Sequence, residues 1–406
     1  MSAAFKRLII CLDGTWNNRD SSTNVFHLYN LLADVDANGV RQLRYYDEGV
    51  GTGILDKMTG GMFGIGLDEN VIQAYEWLIE QYEDGDEVYV FGFSRGAFTA
   101  RSLGGFLMKC GLLRRGAPLT VEQLWAGYRV LGRRRDSKNA PTKSTWRKII
   151  GQEYRPYRSI VDLKWDTGHV KVTDPNPTEK LLIEWTRRIP IHCIGVFDTV
   201  GAMGLDALCI PGLHSEEAAF HNTNPSKLIK HGYHALAIDE HRINFQPVLW
   251  RRYVPKGSAP DADPWETYEQ RWFTGAHANV GGGYGDNPLC LFPLDWMMRR
   301  TAALGLAFLR QPALPAIADC VPLLKSADGY KPFLRDSYAE FFGGFLKLIT
   351  LGRAYYRTIA GPPLVNSRYT LQSLNEVIDE SVGQFMGADP TYRPKNLPKP
   401  TPQAQT

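Results

Sequence analysis

The sequence predicts an α/β fold in which a mostly parallel sheet is flanked by helices and carries a helical insertion. One observation is a series of short apolar runs typical of buried parallel strands, such as Val88–Phe91. Another is the helical periodicity between those runs, as in Asp68–Tyr82, where apolar residues recur on one face. Strands that alternate with helices favour a parallel sheet with right-handed crossovers.

The individual elements follow from the same two patterns, taken along the chain. Apolar runs predict strands at Lys6–Leu12, Gln42–Tyr46, Val88–Phe91, Ile191–Phe197, Gln246–Arg252 and Arg271–Thr274. Apolar residues at helical spacing predict helices at Asn24–Ala33, Asp68–Tyr82, Ala97–Leu107, Lys227–Asp239 and Leu289–Leu309, and from Phe333 to about Gly352. These elements imply a single domain, which we place at residues 1–389.

The pattern changes between Arg114 and about Arg188, where basic residues interleave with tryptophan and tyrosine. We interpret residues 114–188 as a helical, lid-like insertion packed over the sheet edge. Such a composition also occurs in nucleic-acid-binding proteins. A net charge of only +3, without a nucleic-acid-binding signature, favours a solvated lid surface, so we predict no nucleic-acid partner. The proline-rich tail, residues 390–406, is predicted to be extended or disordered.

Composition excludes several classes of protein. Apolar residues make up 44% of the 406 positions and charged residues 22%, as in ordinary soluble enzymes. No apolar run reaches the length of about 18 residues that a spanning helix needs. The N-terminus lacks the sequence of charged region, apolar region and cleavage site that marks a signal peptide. The six cysteines are scattered without a C-x-x-C pair, which argues against a zinc site or a disulfide framework. We expect a cytoplasmic protein, with export by a route that needs no cleaved signal left open.

The most informative motif is Gly92–Gly96, which reads G-x-S-x-G around Ser94. A predicted strand precedes it and a predicted helix follows it, which is the context of a nucleophile elbow. The strained turn exposes the serine hydroxyl over the sheet edge, and glycine is needed two positions before and after. We predict that Ser94 is a nucleophile. The alternative is an ordinary turn in which the serine caps the helix.

A serine nucleophile needs a base, and the base needs a carboxylate to orient it. In this type of fold the chain order is Ser, Asp or Glu, then His, each at the C-terminal end of a strand. Asp198 directly follows the strand Ile191–Phe197, so its side chain is expected to face the crevice where ligands bind. Asp198 is the predicted acid, with a helix cap or turn as its alternative role. Asp239 is the second candidate, but it lies within a helical pattern.

The base has several candidates, because five histidines follow Asp198 at a useful distance: His221, His231, His234, His241 and His277. His277 lies between a predicted strand and the run Gly281–Gly283, and such a loop lets the backbone approach the nucleophile closely. We predict that His277 is the base. His234 and His241 are interpreted as histidines hydrogen-bonded inside or beside a helix.

The tetrahedral intermediate needs two backbone N–H groups as an oxyanion hole. One is predicted to come from Arg95, which follows the nucleophile at the start of a helix. The other is predicted to come from Gly14 or Thr15, in the loop after the first strand. Asp13 is interpreted as a residue that holds this turn through hydrogen bonds. The spacing does not demand a metal role for Asp13 with Asp286, so we predict neither a metal nor a cofactor.

Four motifs occur in order, namely Leu12–Asn17, Gly92–Ala97, Phe197–Gly201 and the segment from His277 to Tyr284. With them the chain resembles the α/β-hydrolase family that includes the catalytic domain of type VI secretion phospholipase effectors. The resemblance covers most of residues 5–310 and implies an α/β-hydrolase-like fold. It also implies Ser94 as nucleophile, Asp198 as acid and His277 as base. One difference is Asn279, which stands where the family usually has aspartate.

We predict a serine hydrolase that cleaves carboxylic esters through a Ser-Asp-His triad and an acyl-enzyme. The more specific prediction is a phospholipase or a lipid esterase. The partner is a small-molecule or lipid ester substrate, and peripheral contact with a membrane is left open. A housekeeping ester hydrolase fits the same residues. A non-catalytic binding protein on a hydrolase scaffold is the alternative of a different class.

Overall fold

A computed structural model of the chain describes residues 5–14, 22–49, 63–131, 175–200, 228–242, 245–255, 267–283, 288–324, 355–365 and 369–398. None of the helices in these ranges combines the length and apolarity that a membrane crossing requires. The predicted helix from Phe333 to about Gly352 lies outside the described residues, as does Thr15.

A parallel sheet of seven strands forms the centre of the protein. Its strands are β1 (Arg7–Leu12), β2 (Gln42–Asp47), β3 (Glu87–Phe93), β6 (Ile191–Phe197), β7 (Ile229–Ala237), β9 (Tyr268–Phe273) and β12 (Glu376–Ile378). Their order across the sheet is β12-β9-β7-β6-β3-β1-β2, and every neighbouring pair is parallel. The α/β fold class predicted from the sequence is confirmed.

Helices cover both faces of this sheet. They are α1 (Asn24–Leu31), α2 (Phe63–Gln81), α3 (Arg95–Cys110), α4 (Val121–Leu131), α5 (Pro177–Trp185), α6 (His277–Gly281), α7 (Leu291–Ala302), α8 (Ile317–Leu324) and α9 (Glu380–Ala388). In β3, Val88 and Val90 belong to a core layer shared with α2 and α3, whereas Tyr89 and Phe91 belong to the layer shared with α1 and α7. Burial on both faces explains why β3 is a continuous apolar run.

Smaller antiparallel pairings lie beside the main sheet. Strands β8 (Arg251–Pro255), β10 (Leu364–Val365) and β11 (Tyr369–Ser373) form one, and β4 (Leu112–Leu113) with β5 (Thr186–Arg187) form the other. The predicted strand Gln246–Arg252 overlaps β8 only at its end, because the ladder to β11 begins at Arg251.

The predicted insertion at 114–188 is described only at its two ends, and residues 132–174 lie outside the described part. At the first end, Trp125 and Tyr128 of α4 pack on Phe106 of α3, with ring centroids 5.0 and 5.3 Å apart. These two aromatic side chains are buried in the main core. The start of the segment is therefore part of the domain body, and the lid remains a prediction.

The predicted helix Lys227–Asp239 is wrong, because residues Ile229–Ala237 form the interior strand β7. Strand β7 pairs with β6 on one side and β9 on the other. Its second half, His-Ala-Leu-Ala, has good helix-forming residues, but both of its faces are buried in the sheet. Tertiary pairing outweighs such local preference.

Two other boundaries differ from the prediction. The helix expected over Leu289–Leu309 ends at Ala302, and the chain then turns through Gly305, whose φ of +104° favours glycine. The tail expected to be extended or disordered is packed over residues 390–398. Tyr392 is 3% exposed there, and its hydroxyl donates to Asp239 Oδ2 at 2.6 Å. An aromatic anchor holds this segment despite its prolines, while residues 399–406 lie outside the described ranges.

Candidate active site

Ser94 lies in the sharp turn between β3 and α3. Its φ of 57° and ψ of −119° are in a region that residues with a Cβ atom rarely adopt. A Cβ atom added at Gly92 would lie 2.4 Å from the Gly96 carbonyl oxygen, and one added at Gly96 would lie 2.3 Å from the Leu12 carbonyl oxygen. Both contacts are with backbone, so only glycine fits on either side of the serine. The local geometry is that of the elbow expected from G-x-S-x-G.

His277 brings its imidazole to the serine. The Nε2 atom of His277 is 2.8 Å from the Ser94 Oγ atom. The residue was expected on a loop, but it is the first residue of the five-residue helix α6. The ring packs between Phe93 and Phe245, with centroid distances of 4.7 and 5.0 Å. These aromatic contacts fix the plane of the imidazole and leave His277 only 6% exposed.

Asp198 completes the line of contacts. Its Oδ2 atom is 2.5 Å from Nδ1 of His277, on the side of the ring opposite Ser94. The carboxylate is fully buried, and its Oδ1 atom accepts the Ala237 N–H at 3.0 Å. The backbone φ of Asp198 is 40°, a left-handed value that turns its side chain over the end of the sheet. The structure thus brings together the three side chains selected from the sequence, each directly after or within a few residues of a strand end.

The helix that carries His277 is held by Asn24, whose role sequence reasoning missed, and by Asn279. Asn24 Nδ2 donates to the Val280 and Cys290 carbonyl oxygens at 2.9 and 2.8 Å. Asn279 Oδ1 accepts the Ala276 N–H at 2.9 Å, so the amide oxygen at this position caps the helix as an aspartate oxygen could. A Cβ atom at Gly281 would overlap the Phe93 ring, which explains the first glycine of the run after His277.

Arg357 was also missed by sequence reasoning, although its side chain contacts the predicted acid. Its Nη1 atom donates to Asp198 Oδ1 at 2.6 Å and its Nη2 atom donates to Asp198 Oδ2 at 2.9 Å. The side chain is fully buried. A buried arginine that binds both oxygens of a carboxylate through its two terminal nitrogens is detectable only in three dimensions, because 159 positions separate the two residues.

A second carboxylate lies close to the histidine. Glu240 Oε2 accepts the backbone N–H of His277 at 3.3 Å, and the Glu240 carboxylate also accepts two hydrogen bonds from the Arg242 guanidinium, at 2.8 and 2.7 Å. Glu240 is 1% exposed. The Arg242 guanidinium in turn lies over the Phe245 ring, 3.6 Å from its centroid. This group ties the start of α6 to the segment after β7.

The electrostatics of the site suit a neutral base beside an ionised acid. Burial opposes ionisation of Asp198, but the Arg357 charge and the His277 hydrogen bond outweigh it, so the pKa of Asp198 lies below its ordinary value. Burial lowers the pKa of His277, and the neighbouring Asp198 carboxylate offsets this only in part. His277 is therefore neutral at neutral pH and able to accept a proton.

The other acid and base candidates are occupied elsewhere. His234 is fully buried and its Nε2 atom accepts the Thr199 N–H at 3.1 Å. His241 Nδ1 is 2.8 Å from the Tyr355 carbonyl oxygen. Asp239 accepts the Gly275 N–H as well as the Tyr392 hydroxyl. Asp239 and His241 follow a strand rather than belonging to a helix, and none of these three side chains is hydrogen-bonded to Ser94 or His277.

His231 and His221 are the other two base candidates. His231 lies near the opposite end of β7, where its ring contacts His192 and Tyr233. His221 lies outside the described residues.

The predicted oxyanion donors lie on two segments at the end of the sheet. Arg95 begins α3, whose N-terminus carries the positive end of the helix dipole. The Gly14 N–H donates to Asp13 Oδ1 at 2.7 Å, so in this arrangement the carboxylate already engages it. Asp13 Oδ2 accepts hydrogen bonds from the Thr23 and Tyr46 hydroxyls at 2.5 and 2.8 Å. Asp13 thus fastens the loop after β1 to α1 and β2.

Within the described ranges, no group of three or more His, Cys, Asp or Glu side chains is arranged to hold a metal ion. Asp286, the suggested companion of Asp13, lies outside them.

The sequence is similar to a known protein family and to a yeast protein. A family model described as "T6SS, Phospholipase effector Tle1-like, catalytic domain" matches residues 6–300. An uncharacterized protein of Saccharomyces cerevisiae, YEL023C, is 27% identical over 274 residues, which cover 63% of this chain and 34% of that protein. The chain therefore spans about a third of the length of this relative.

Solved structures with similarity to the chain include three of low identity. The Tle1 effector bound to the VgrG spike of the type 6 secretion system is 20% identical, with a TM-score of 0.32 over 71% of this chain and 53% of that chain. An uncharacterized protein from Pseudomonas aeruginosa is 16% identical, with a TM-score of 0.37 over 83% and 48%. The peroxisomal α/β-hydrolase Lpx1 of Saccharomyces cerevisiae is 11% identical, with a TM-score of 0.28 over 86% and 87%.

Proposed function

This chain belongs to the family of the Tle1-like catalytic domain of type VI secretion phospholipase effectors, and we propose that it is a serine hydrolase of lipid carboxylic esters. Family membership supports lipase or phospholipase activity. The observation that carries the assignment of residues is the line of hydrogen bonds from Ser94 Oγ to His277 Nε2 and from His277 Nδ1 to Asp198 Oδ2. Such a line is the arrangement that activates a serine hydroxyl.

Acylation begins when Ser94 Oγ attacks the ester carbonyl carbon. His277 Nε2 takes the hydroxyl proton, and a tetrahedral intermediate forms with the negative charge on the former carbonyl oxygen. Asp198 holds the imidazole in the required tautomer and stabilises its positive charge. The intermediate collapses when the bond to the alcohol oxygen breaks and His277 gives its proton to that oxygen. The products are the free alcohol and an acyl ester of Ser94.

Deacylation repeats the same steps with water. His277 Nε2 accepts a proton from water, whose oxygen attacks the acyl carbon of the Ser94 ester. The second tetrahedral intermediate collapses with transfer of that proton to Ser94 Oγ. The carboxylic acid leaves, and the serine and the neutral histidine are restored. His277 Nε2 carries the proton in every step, first from Ser94 Oγ to the leaving alcohol oxygen and then from water back to Ser94 Oγ.

Charge on the intermediate oxygen is stabilised by backbone N–H groups in this proposal. The Arg95 N–H is the first donor, supported by its place at the start of α3. The second donor is the N–H of Gly14 or Thr15. Because Asp13 Oδ1 engages the Gly14 N–H, Gly14 serves only if that contact is exchanged for the substrate oxygen.

The proposed substrate class is tested by comparing a soluble short-chain ester with a phospholipid. Rates are measured for the purified chain and for Ser94→Ala, below and above the micelle concentration of the phospholipid. A lipid-specific enzyme shows a jump in rate when micelles form, and Ser94→Ala abolishes it. Equal rates on both substrates, without the jump, would indicate a general ester hydrolase. Absence of hydrolysis from the folded chain would favour the non-catalytic binding protein.

A further inference from the structure

The acid of the proposed triad is held by a guanidinium from the C-terminal part of the chain. Both terminal nitrogens of Arg357 donate to the two oxygens of Asp198, at 2.6 and 2.9 Å. The same nitrogens donate to backbone carbonyl oxygens, Nη1 to Ala237 at 2.9 Å and Nη2 to Phe245 at 2.5 Å. The guanidinium therefore forms a two-pronged fork that is held by the carboxylate on one side and by the backbone on the other.

We propose that Arg357 is a positioning residue of the active site, which holds the Asp198 carboxylate in the one orientation that receives Nδ1 of His277. This inference rests on the proposed function, since it assigns a role to a residue behind the same acid. Arg357 contacts the substrate at no step, and it acts only through Asp198.

The geometry explains why a fork is needed. Asp198 Oδ2 must face His277 Nδ1, while Oδ1 accepts the Ala237 N–H at 3.0 Å. Rotation of the carboxylate would break the contact with His277. A planar guanidinium bonded to both oxygens prevents that rotation, which a single ammonium group cannot do. Arg357 also neutralises a carboxylate that has no exposed surface and that would otherwise be costly to bury.

Several other charged or titratable groups lie around the Asp198–His277 pair. The segment after β7 contributes Glu240 and Arg242, and β7 itself contributes His234. Helix α3 contributes Arg95 next to Ser94, and Arg101, whose charge acts on His234. Among the arginines around the pair, Arg357 included, Arg357 is the one that is hydrogen-bonded to Asp198 in the described residues. Removal of its charge therefore leaves Asp198 as an uncompensated anion directly beside His277.

The positive charge of Arg357 lowers the pH at which the Asp198–His277 pair takes up a proton. With Arg357 present, the Asp198 charge is balanced, and burial keeps the pKa of His277 below its ordinary value. Without Arg357, the Asp198–His277 pair binds its proton more tightly, whichever of the two residues carries it. Activity needs the unprotonated pair, so the acid limb of the pH profile moves to higher pH.

Arg357 belongs to the C-terminal part of the chain. The family match ends at residue 300, so Arg357 lies beyond the matched part of the chain. Two further contacts join this C-terminal part to the segment after β7: the Tyr355 carbonyl oxygen accepts a hydrogen bond from His241 Nδ1, and the Tyr392 hydroxyl donates to Asp239. The residues matched by the family model do not by themselves complete the acid side of the site.

The test compares Arg357→Lys and Arg357→Met in the full chain. The readouts are the pH profile of kcat/KM on a soluble ester and the pH profile of Ser94 labelling by a fluorophosphonate. Both variants are expected to lose about 10- to 100-fold in kcat, less than the roughly 10⁴-fold loss when a triad acid is replaced in serine proteases. KM is expected to stay within about twofold, because Arg357 does not contact the substrate. Arg357→Met is expected to move the acid limb to higher pH, while Arg357→Lys keeps it near the wild-type position.

Tyr392→Phe is the matched control, because it loosens the same C-terminal part without touching Asp198. It is expected to lower the thermal midpoint and to leave the acid limb in place. A folded variant of Arg357 with wild-type kcat, or a loss of rate in Arg357→Met without a shift of the acid limb, would overturn the inference. If Arg357→Met does not fold, the kcat of Arg357→Lys decides. Failure of the proposed function is recognised separately, since the wild-type chain would then neither hydrolyse esters nor be labelled.

Discussion

The Oγ atom of Ser94 lies 2.8 Å from the Nε2 atom of His277, although 183 positions separate the two residues in the chain. Ser94 follows β3 and His277 follows β9, and two further strands, β6 and β7, lie between them in the sheet. The contact therefore needs β3, β6, β7 and β9 to be assembled side by side in this order. The turns at the two strand ends must then point the side chains toward each other.

The strained backbone at Ser94 leads to a prediction about stability. Ser94→Gly and Ser94→Ala both remove the hydroxyl and are expected to abolish hydrolysis. Because φ is +57° at this position, glycine relieves strain that alanine retains. Ser94→Gly is expected to be about 1 kcal/mol more stable than Ser94→Ala in urea unfolding. Equal free energies of unfolding for the two variants would show that the turn holds no such strain.

The close approach of the chain at Gly96 leads to a second prediction. Gly96→Ala places a Cβ atom 2.3 Å from the Leu12 carbonyl oxygen, and the strand that carries Leu12 is fully buried. We expect a loss of about 3 kcal/mol in the free energy of unfolding, together with loss of activity. Gly383→Ala is the control, since a Cβ atom there meets nothing within 4 Å on an exposed face of α9. That variant is expected to be about 0.5–1 kcal/mol more stable than the wild type.

The assignment of the base is tested by comparing histidines. His277→Ala is expected to lower kcat by about 10⁴- to 10⁶-fold, the range of losses found when one member of a serine-protease triad is removed. His241→Ala is expected to keep most of the activity, because its Nδ1 atom contacts a backbone carbonyl oxygen and not Ser94. Steady-state kinetics of both variants on one soluble ester make the comparison. Equal losses in the two variants would move the base away from His277.

His234 provides a prediction on pH and stability. Burial, with the nearby Arg101 charge, lowers the pKa of His234 from 6.5 to about 3. Between these values the unfolded chain binds a proton that the folded chain excludes. The free energy of unfolding therefore falls as the pH is lowered from 6.5, by up to about 1.4 kcal/mol per pH unit from this group. The pKa of Asp198 is lowered in the same direction, but its contribution to stability falls only below pH 3.8, the ordinary value, and so lies outside most of this range.

His234→Gln is the variant that isolates this group. A glutamine oxygen can still accept the Thr199 N–H, but it does not titrate. We expect a shallower loss of stability between pH 6.5 and 4 than in the wild type, measured by urea unfolding at several pH values. Parallel curves for the two proteins would mean that His234 is not the buried neutral group described here.

The sequence was sufficient for the architecture where each pattern was local. The apolar run of β3 and the G-x-S-x-G turn identified the elbow, because the strand is buried on both faces and Gly92 lies directly against Gly96 within the same turn. The same local signals placed Asp198 after β6 and His277 after β9. In each of these positions a strand end, a turn residue and a chemical group coincide within a few residues.

Long-range contacts explain what sequence reasoning missed. Strand β7 has helix-forming residues in its second half, and only its pairing with β6 and β9 makes it a strand. Arg357 and Glu240 lie in segments without a motif, and their roles appear only through contacts with Asp198 and His277. Tyr392 lies in a proline-rich stretch, yet its side chain is buried and its hydroxyl donates a hydrogen bond to Asp239.

The most direct measurement of the central claim is covalent labelling by a fluorophosphonate, with the modified peptide identified by mass spectrometry. The account predicts a single modification on Ser94 in the folded wild-type chain, loss of labelling in Ser94→Ala, and strongly slowed labelling in His277→Ala. Labelling of another residue, or labelling that persists unchanged in Ser94→Ala, would contradict it.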